Sequence, residues 1–441
     1  MRLDLQELKR LVCSSHPQAA AETVRSVWGE ISLFMLKPEF RGSFHLVVPI
    51  ENGATGAFFV WKQEELGTPL KDVFQPAFFL PMLWKANSQD SPCLPASLVQ
   101  VAQSARKALV KDCRDDVDRR KAINGFGLHL ADRLGDLYLT DLPCKAESAW
   151  APLTAGLAIT VYRGSPCDDV FATGAWDSDG IKQVDDIPEK VEAVVALTAA
   201  RSRPMFFVPR ANLGEALVAA GERAEIVAFP VGNRSANASL AEYLRKLAAP
   251  PRKIDGAILT ERCAYANLDF IASDYGKRND YYKSELLRDL ADELATRSGE
   301  GFKIRRLALG LSKTWDLDAF LVRALKPAEV LFLTSPETTP ALEGLKKDLM
   351  DLRATTFADP MELTAVNADE CCARITTWLQ ATSSGSAVEI TAGTKDMSAV
   401  LLVAARRSNT RILYLRHETR GPVPLYGIGN MNMVSLDWAL R

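Results

Sequence analysis

Residues Ile390–Ala405 read ITAGTKDMSAVLLVAA. An apolar run gives way to a glycine and hydroxyls around one lysine, and apolar residues then resume at helical spacing. That pattern predicts a strand, a tight turn and the start of a helix. At such a turn the first backbone N–H groups of the helix lack partners within it, and the helix dipole places partial positive charge there. With Lys395 and the hydroxyls of Thr391 and Thr394 beside them, the turn has the make-up of an anion or phosphate site. The plain alternative is that Thr394 only caps the helix.

The surroundings extend the pattern. From residue 304 onward strand-like runs (KIRRLALGLS, EVLFLTS, RATTFAD, AVEITA, RILYLRH) alternate with helices starting near Asp316, Pro340, Ala368 and Lys395, and NMNMVSLDWALR adds a last strand-like run. Alternation of this kind predicts an α/β fold, a parallel sheet with helices on both faces. Ligands in such folds sit outside the carboxyl ends of the strands. Three of those ends are polar: Gly310-Leu311-Ser312-Lys313-Thr314, Thr334-Ser335-Pro336-Glu337 and the quoted turn. Lys313 and Lys395 suit phosphates, while Ser312, Thr334, Ser335 and Thr394 suit ribose or phosphate oxygens. Neither GxGxxG nor GxxxxGK[ST] occurs, so the dinucleotide and Walker A readings are excluded.

The strand–TAGTKDMS–helix unit resembles the CARF domains of type III CRISPR systems, in particular the branch with a T-G-G-T-K-x-M-S motif; Ala392 stands where that branch more often has glycine. The resemblance covers roughly 304–441. It implies a Rossmann-like sensor domain that forms a homodimer and binds a cyclic oligoadenylate, with four AMP units (cA4) favoured over six. The ligand-binding residues it implies are Ser312, Lys313, Thr314, Thr334, Ser335, Thr391, Gly393, Thr394, Lys395 and Met397. A two-fold ligand suits a C2 dimer.

At 441 residues the chain exceeds what one core usually supports. Its 53 basic and 55 acidic residues nearly cancel, which argues against a nucleic-acid-coating or membrane-surface protein. The eight cysteines are scattered without CxxC or zinc spacing, as expected of a reduced, cytoplasmic protein without a metal site. The opening MRLDLQELKRLVCSSHP is not the pattern of a signal peptide, and no apolar run has the length of a membrane span. The proline-rich AAPPRK at 248–253 marks a boundary. The mixed-charge YGKRNDYYKSELLRDLADELATRSGEG (275–301) reads as a solvated helix, which makes 251–303 a charged helical connector.

Before that boundary the runs FHLVVPI and GAFFVW flank Glu51-Asn52-Gly53, a hairpin signal. The chain then reads as an amphipathic helix (95–113), a strand GDLYLTDL and a helix from about Ala146. DVFATGAWDSDG follows as strand and turn, PEKVEAVVALTAAR as a helix, and PMFFVP and EIVAFPVG as strands. Four histidines give a His-based triad little support; His45 and His129 sit in apolar strand contexts, and neither an RxxxxH nor a PD-(D/E)xK constellation is present.

In its order of elements, residues 95–245 resemble the proteolytic domain of Lon-type proteases. The resemblance places Ser148 at the nucleophile, Gly164 and Pro166 at the T-G-x-P turn, Thr173-Gly174 at the T-G pair, and Pro209 and Asn212 at P-x-x-N. Glu147-Ser148-Ala149-Trp150 replaces P-S-A-G, and a one-residue shift would align Ala149. Counted directly, the catalytic lysine falls on Pro188 or Glu189 and the next lysine on Lys190. The expected dyad is Ser148 with Lys190, in which a buried, neutral amine takes the hydroxyl proton and N–H groups at the helix start stabilise the oxyanion. The alternative is a Ser148 that caps its helix and a Lys190 on the surface. Residues 1–250 are thus expected to form a Lon-protease-like α+β effector, with 1–90 matching no motif.

The combined expectation is a cyclic-oligoadenylate-activated serine protease of CRISPR antiviral defence, cleaving a specific protein partner encoded nearby and needing no cofactor, membrane or direct DNA contact. The alternative is a sensor or ring nuclease whose Lon-like scaffold only binds a partner.

Overall fold

A computed structural model describes residues 3–12, 16–41, 54–113, 117–134, 137–161, 166–167, 169–177, 180–198, 203–230, 235–248, 250–272, 281–298, 303–313, 315–382, 385–417, 419–420, 423–424 and 431–436. The chain divides into two compact units. One holds the residues up to Pro250 together with Asn267–Tyr275, the other Pro251–Ala266 and the chain from Gly276 onward. Among the described residues no helix is long and apolar enough to cross a membrane.

In the first unit β1 (Ala54–Trp61), β2 (Ala77–Ala86), β3 (Phe126–Leu130) and β4 (Cys144–Lys145) form an antiparallel sheet in the order β3-β2-β1-β4. Next come β5 (Val170–Ala172), the hairpin β6 (Ala175–Asp177) with β7 (Gly180–Lys182), β8 (Met205–Val208) and β9 (Glu225–Ala228). β5, β8 and β9 make a three-stranded parallel sheet in the order β5-β8-β9. Phe58 and Phe79 from the antiparallel sheet share one core with Phe171 and Phe206 from the parallel one and with Val191 and Val194 of the helix Ile187–Thr198. Segments before residue 90 therefore complete this unit's core.

The helix Trp150–Val161 is the buried element of the first unit, since Trp150 to Ile159 are all inaccessible. An apolar circumference demands this, because no face is left for solvent. The helix approaches β1 so closely that a Cβ on Gly156 would lie 2.5 Å from the Thr55 side chain. Thr55 Oγ1 donates to Pro152 O at 2.8 Å and Trp84 Nε1 to Leu153 O at 3.0 Å.

Some expectations change here. FHLVVPI, its Glu51-Asn52-Gly53 turn and His45 lie outside the described residues, and among the described residues GAFFVW pairs antiparallel with β2 and, at Val60 and Trp61, with β4. The described part of GDLYLTDL, Leu137–Leu142, is not a regular strand: Leu139 N–H donates to Cys93 O (2.8 Å) and Leu142 N–H to Leu139 O (3.1 Å), which closes a turn. His129 is half-buried on β3, with Nε2 3.1 Å from Ser88 Oγ, and borders a polar cavity of about 190 Å³ shared with Lys85, Ser91, Cys93 and Asp132.

The second unit is built on β10 (Arg306–Gly310), β11 (Glu329–Thr334), β12 (Thr356–Phe357), β13 (Met361–Glu362), β14 (Ser386–Glu389) and β15 (Arg411–His417). A small hairpin, β16 (Thr419–Arg420) with β17 (Val423–Pro424), and β18 (Met431–Ser435) follow. The sheet runs β12-β11-β10-β14-β15-β18, with β13 also on β11; every pair is parallel except β15 with β18. The helices Asp316–Leu325 and Ala341–Asp348 pack with Leu307, Leu309 and Phe332 on one face. Ala368–Gln380 and Lys395–Ser408 pack with Ala308, Leu331 and Val388 on the other. The charged segment is part of this body: its helix Leu287–Ser298 turns Leu290, Ala291 and Leu294 into the first of those cores.

Candidate functional site

Strand order in the second unit reverses between β10 and β14. After β10 the chain leaves for one face of the sheet and after β14 for the other, so their carboxyl ends border a crevice. The two loops meet at glycines. A Cβ on Gly310 would lie 3.0 Å from Ala392 O, and one on Gly393, whose φ is +84°, 2.9 Å from Gly310 Cα. Only residues without a side chain permit that approach.

Thr394 caps the 14-residue helix Lys395–Ser408, its Oγ1 accepting from Met397 N–H at 3.3 Å. Both roles foreseen for it are compatible, since Thr394 stays exposed beside Lys395. Lys395 is exposed at the first helical position, next to Asp396, and makes no ion pair with a described residue. Lys313 pairs with Glu337 at 2.8 Å; both side chains are mostly exposed, and the cation holds the Glu337 carboxyl below its ordinary range. A pair this exposed yields readily to a competing anion.

Other nominated residues face inward. Met397 is fully buried and packs in the core, and Thr334 is 1 % exposed, its Oγ1 3.4 Å from Met361 O and 3.3 Å from Thr339 Oγ1. These two serve packing, not an open surface. Half-buried Ser335 opens a turn, its N–H donating to Thr338 Oγ1 at 2.8 Å. Ser312 donates both its hydroxyl and, at 3.2 Å, its N–H to Asp318 Oδ2. Thr391 Oγ1 accepts from Leu415 N–H at 2.7 Å. Thr314 lies outside the described residues.

Two acids that the sequence reading did not single out organise this edge. Asp318 and Glu389 are both fully buried. Glu389 accepts from Thr391 N–H (2.9 Å) and Ala392 N–H (3.2 Å), so each carboxyl holds one loop of the crevice. Burial pushes Asp318 up to about 7, against the bonds from Ser312, and like charge on Glu389 adds to the rise. Burial likewise raises Glu389. The available signal was a lone acid within the apolar run AVEIT.

In the first unit Ser148 is half-buried in the 3₁₀ turn Glu147–Ala149 that leads into the helix Trp150–Val161. Its backbone is tied to the Thr173-Gly174 pair: Gly174 N–H donates to Ser148 O (2.8 Å) and Ala151 N–H to Gly174 O (3.0 Å). Two residues on, Trp150 stacks against Trp176 of β6, rings 4.5 Å apart and 15° from parallel. The N–H groups of Ala149 and Ala151 are committed to Ala146 O and Gly174 O, and Pro152 has none. At most Ser148 and Trp150 then retain N–H groups for an oxyanion, fewer than a bare helix start offers.

Lys190 is 2 % exposed, which removes the surface alternative. Spaced with Ile187, Val191 and Val194, it lies on the apolar stripe of its helix, whereas Pro188 is exposed and Glu189 half-buried. Its Nζ donates to Asp185 O at 2.6 Å. Burial drives its pKa down from 10.5 to about 8, against the pull of Asp186, Asp185, Glu189 and Glu147. Glu147 immediately precedes Ser148, so the field at the amine includes the serine's own turn. Asn212 fixes the approach to Lys190: Oδ1 accepts from Val184 N–H (3.0 Å) and Nδ2 donates to Val184 O (2.9 Å), in a side chain 1 % exposed. Pro166 pairs with Ala248 in an isolated bridge, Pro209 begins the turn that carries Asn212, and Gly164 lies outside the described residues. Among the described residues no cluster of three or more His, Cys, Asp or Glu could hold a metal ion.

No protein-family model matches the sequence, and no curated protein matches it. Among solved structures 23 chains match. One is Can2 from Sulfobacillus thermosulfidooxidans in complex with cyclic tetra-adenylate (cA4), 16 % identical with a TM-score of 0.22, over 29 % of this chain and 32 % of that one. The match therefore spans less than a third of either chain.

Proposed function

We propose that the chain is a serine protease switched by a cyclic oligoadenylate of the type III CRISPR response. The ligand is taken at the β10/β14 crevice of the second unit, and a protein partner is cut by Ser148 and Lys190 of the first. The sensing half is supported by the crevice itself. Glycine-lined loops, an exposed Lys395 at the head of a long helix and a displaceable Lys313 offer a polyanion two cations and a row of backbone dipoles. A cyclic tetra-adenylate with two-fold symmetry would be read by two copies of this edge.

The observation that carries the catalytic half is Lys190, a lysine withdrawn from water with a pKa near 8. A lysine acts as general base only while neutral, and desolvation supplies the neutral form. A neutral amine that donates one hydrogen to Asp185 O keeps its lone pair; no hydrogen bond joins it to the Ser148 hydroxyl in this structure, so the proposed reaction requires the serine's turn to bring that hydroxyl to Nζ. The serine oxygen then attacks the peptide carbonyl, the proton moves to Nζ, and whichever N–H groups of Ser148 and Trp150 the turn leaves uncommitted stabilise the developing oxyanion. The protonated amine returns its proton to the leaving nitrogen.

The test is cleavage of neighbour-encoded candidate proteins by the purified chain, with and without cyclic tetra-adenylate. Ligand-dependent cleavage that disappears in Ser148→Ala is expected, with loss of ligand binding in Lys395→Ala. Cleavage that persists in Ser148→Ala ends the dyad assignment.

A further inference from the structure

The two loops of the crevice are each anchored to a buried carboxyl, and the anchoring is incomplete. Ser312 bonds only Oδ2 of Asp318; Oδ1 is fully buried without a partner among the described residues. A carboxylate oxygen stripped of water and given no donor is costly to keep charged. Asp318 lies on the helix that follows β10 and Glu389 on β14, the two elements that border the crevice. Glu389 is the ionisable group whose charge acts on Asp318, while Ser312, and more weakly the N–H of Asp318 itself, face the carboxyl as donors.

We propose that Asp318 and Glu389 are the positioning residues of the crevice, and that entry of a polyanion is coupled to uptake of one proton on Oδ1 of Asp318. This rests on the sensing assignment above. The proton comes from solvent and no covalent bond to the ligand changes. With Oδ1 protonated, Oδ2 still accepts from Ser312, so the loop stays in place while the negative charge beneath the incoming phosphates is removed. Geometry makes the coupling specific: the acid under strain is the one that holds the loop. Its placement near 7 puts the exchange within the physiological range.

Linkage fixes the sign. The bound state holds more protons than the free state, so affinity falls as pH rises through the free-state value. A one-unit rise of Asp318 on binding appears as an about eightfold rise in Kd between pH 6 and pH 9. A one-unit rise gives about half a proton taken up at pH 7.5.

The experiment is titration calorimetry of the full chain with cyclic tetra-adenylate at pH 7.5 in PIPES and in Tris, buffers of very different ionisation heat and free of phosphate, plus Kd at pH 6, 7.5 and 9. The expected result is a buffer-dependent heat equal to about half a proton in the wild type. In Asp318→Asn, which keeps an oxygen for Ser312, binding should persist with neither the buffer dependence nor the pH slope. Glu389→Gln removes the neighbouring charge and should shift the wild-type slope to lower pH. Binding without buffer-dependent heat, or the same proton uptake in Asp318→Asn, overturns the coupling and leaves sensing intact. Absence of binding at every pH overturns both.

Discussion

If Lys190 is the base, its pKa should be visible in the reactivity of Ser148. Burial brings the amine from 10.5 to about 8. At pH 7 that leaves about a tenth of the chains with a neutral amine, against about one in three thousand for an ordinary lysine, a gain of about 300-fold or roughly 3 kcal/mol. Acylation of Ser148 by a fluorophosphonate reagent in the presence of cyclic tetra-adenylate reads this without a natural substrate. Between pH 6 and 10 the wild-type rate should climb with unit slope and level off above about 8. Lys190→Met keeps the length of the side chain and removes the base, and should slow acylation by about 10² to 10⁴. The same shift acts on stability. Between pH 8 and 10.5 the unfolded chain binds more protons at this position than the folded one, so folding strengthens as pH rises through that window. Lys190→Met should lose that dependence. At pH 7 it should gain stability, by less than the full 3 kcal/mol or so, because Asp185 O loses its donor. A profile that keeps climbing past pH 10, or acylation of Lys190→Met at the wild-type rate, would refute the reasoning.

Asn212→Ala strips two hydrogen bonds from Val184 and leaves a buried N–H and C=O without them, so denaturation should show a loss of about 2–4 kcal/mol; unchanged stability would deny Asn212 its clamping role. Gly393→Ala puts a Cβ 2.9 Å from Gly310 Cα at a left-handed φ and should cost about 1–3 kcal/mol together with ligand binding, read by thermal melting and calorimetry. Thr394→Ala removes the cap of the helix Lys395–Ser408 for about 1 kcal/mol, and a loss of binding beyond what melting accounts for would separate ligand contact from capping.

The second unit was the more legible half because its interior strands are buried on both faces and read as continuous apolar runs, bounded by polar turns where the crevice lies. RATTFAD was harder: Thr356–Phe357 and Met361–Glu362 each pair with β11 over two residues. In the first unit AFFLPMLWKA hid a strand, because Pro81 in its middle reads as a breaker although the sheet accommodates it opposite Gly56. The site divides along similar lines. Lys395 and Thr394 announce themselves by position at a helix start. Asp318 and Glu389 do not, because an acid in a sequence reads as solvated until the backbone N–H groups that surround it are located in space. Lys190 carried a signal in its spacing, three residues from Ile187 and four from Val194, on the side of the helix that must be covered.

The stacked indoles of Trp150 and Trp176 give the molecule an optical gauge. Two indoles at 4.5 Å couple their electronic transitions, so their near-ultraviolet circular dichroism reports the stack itself. One ring begins the helix behind Ser148 and the other rides on the β6–β7 hairpin. Any rearrangement that opens the serine's turn to a polypeptide by lifting that hairpin must part them, and so the act of switching on would be recorded as a spectral change without a label.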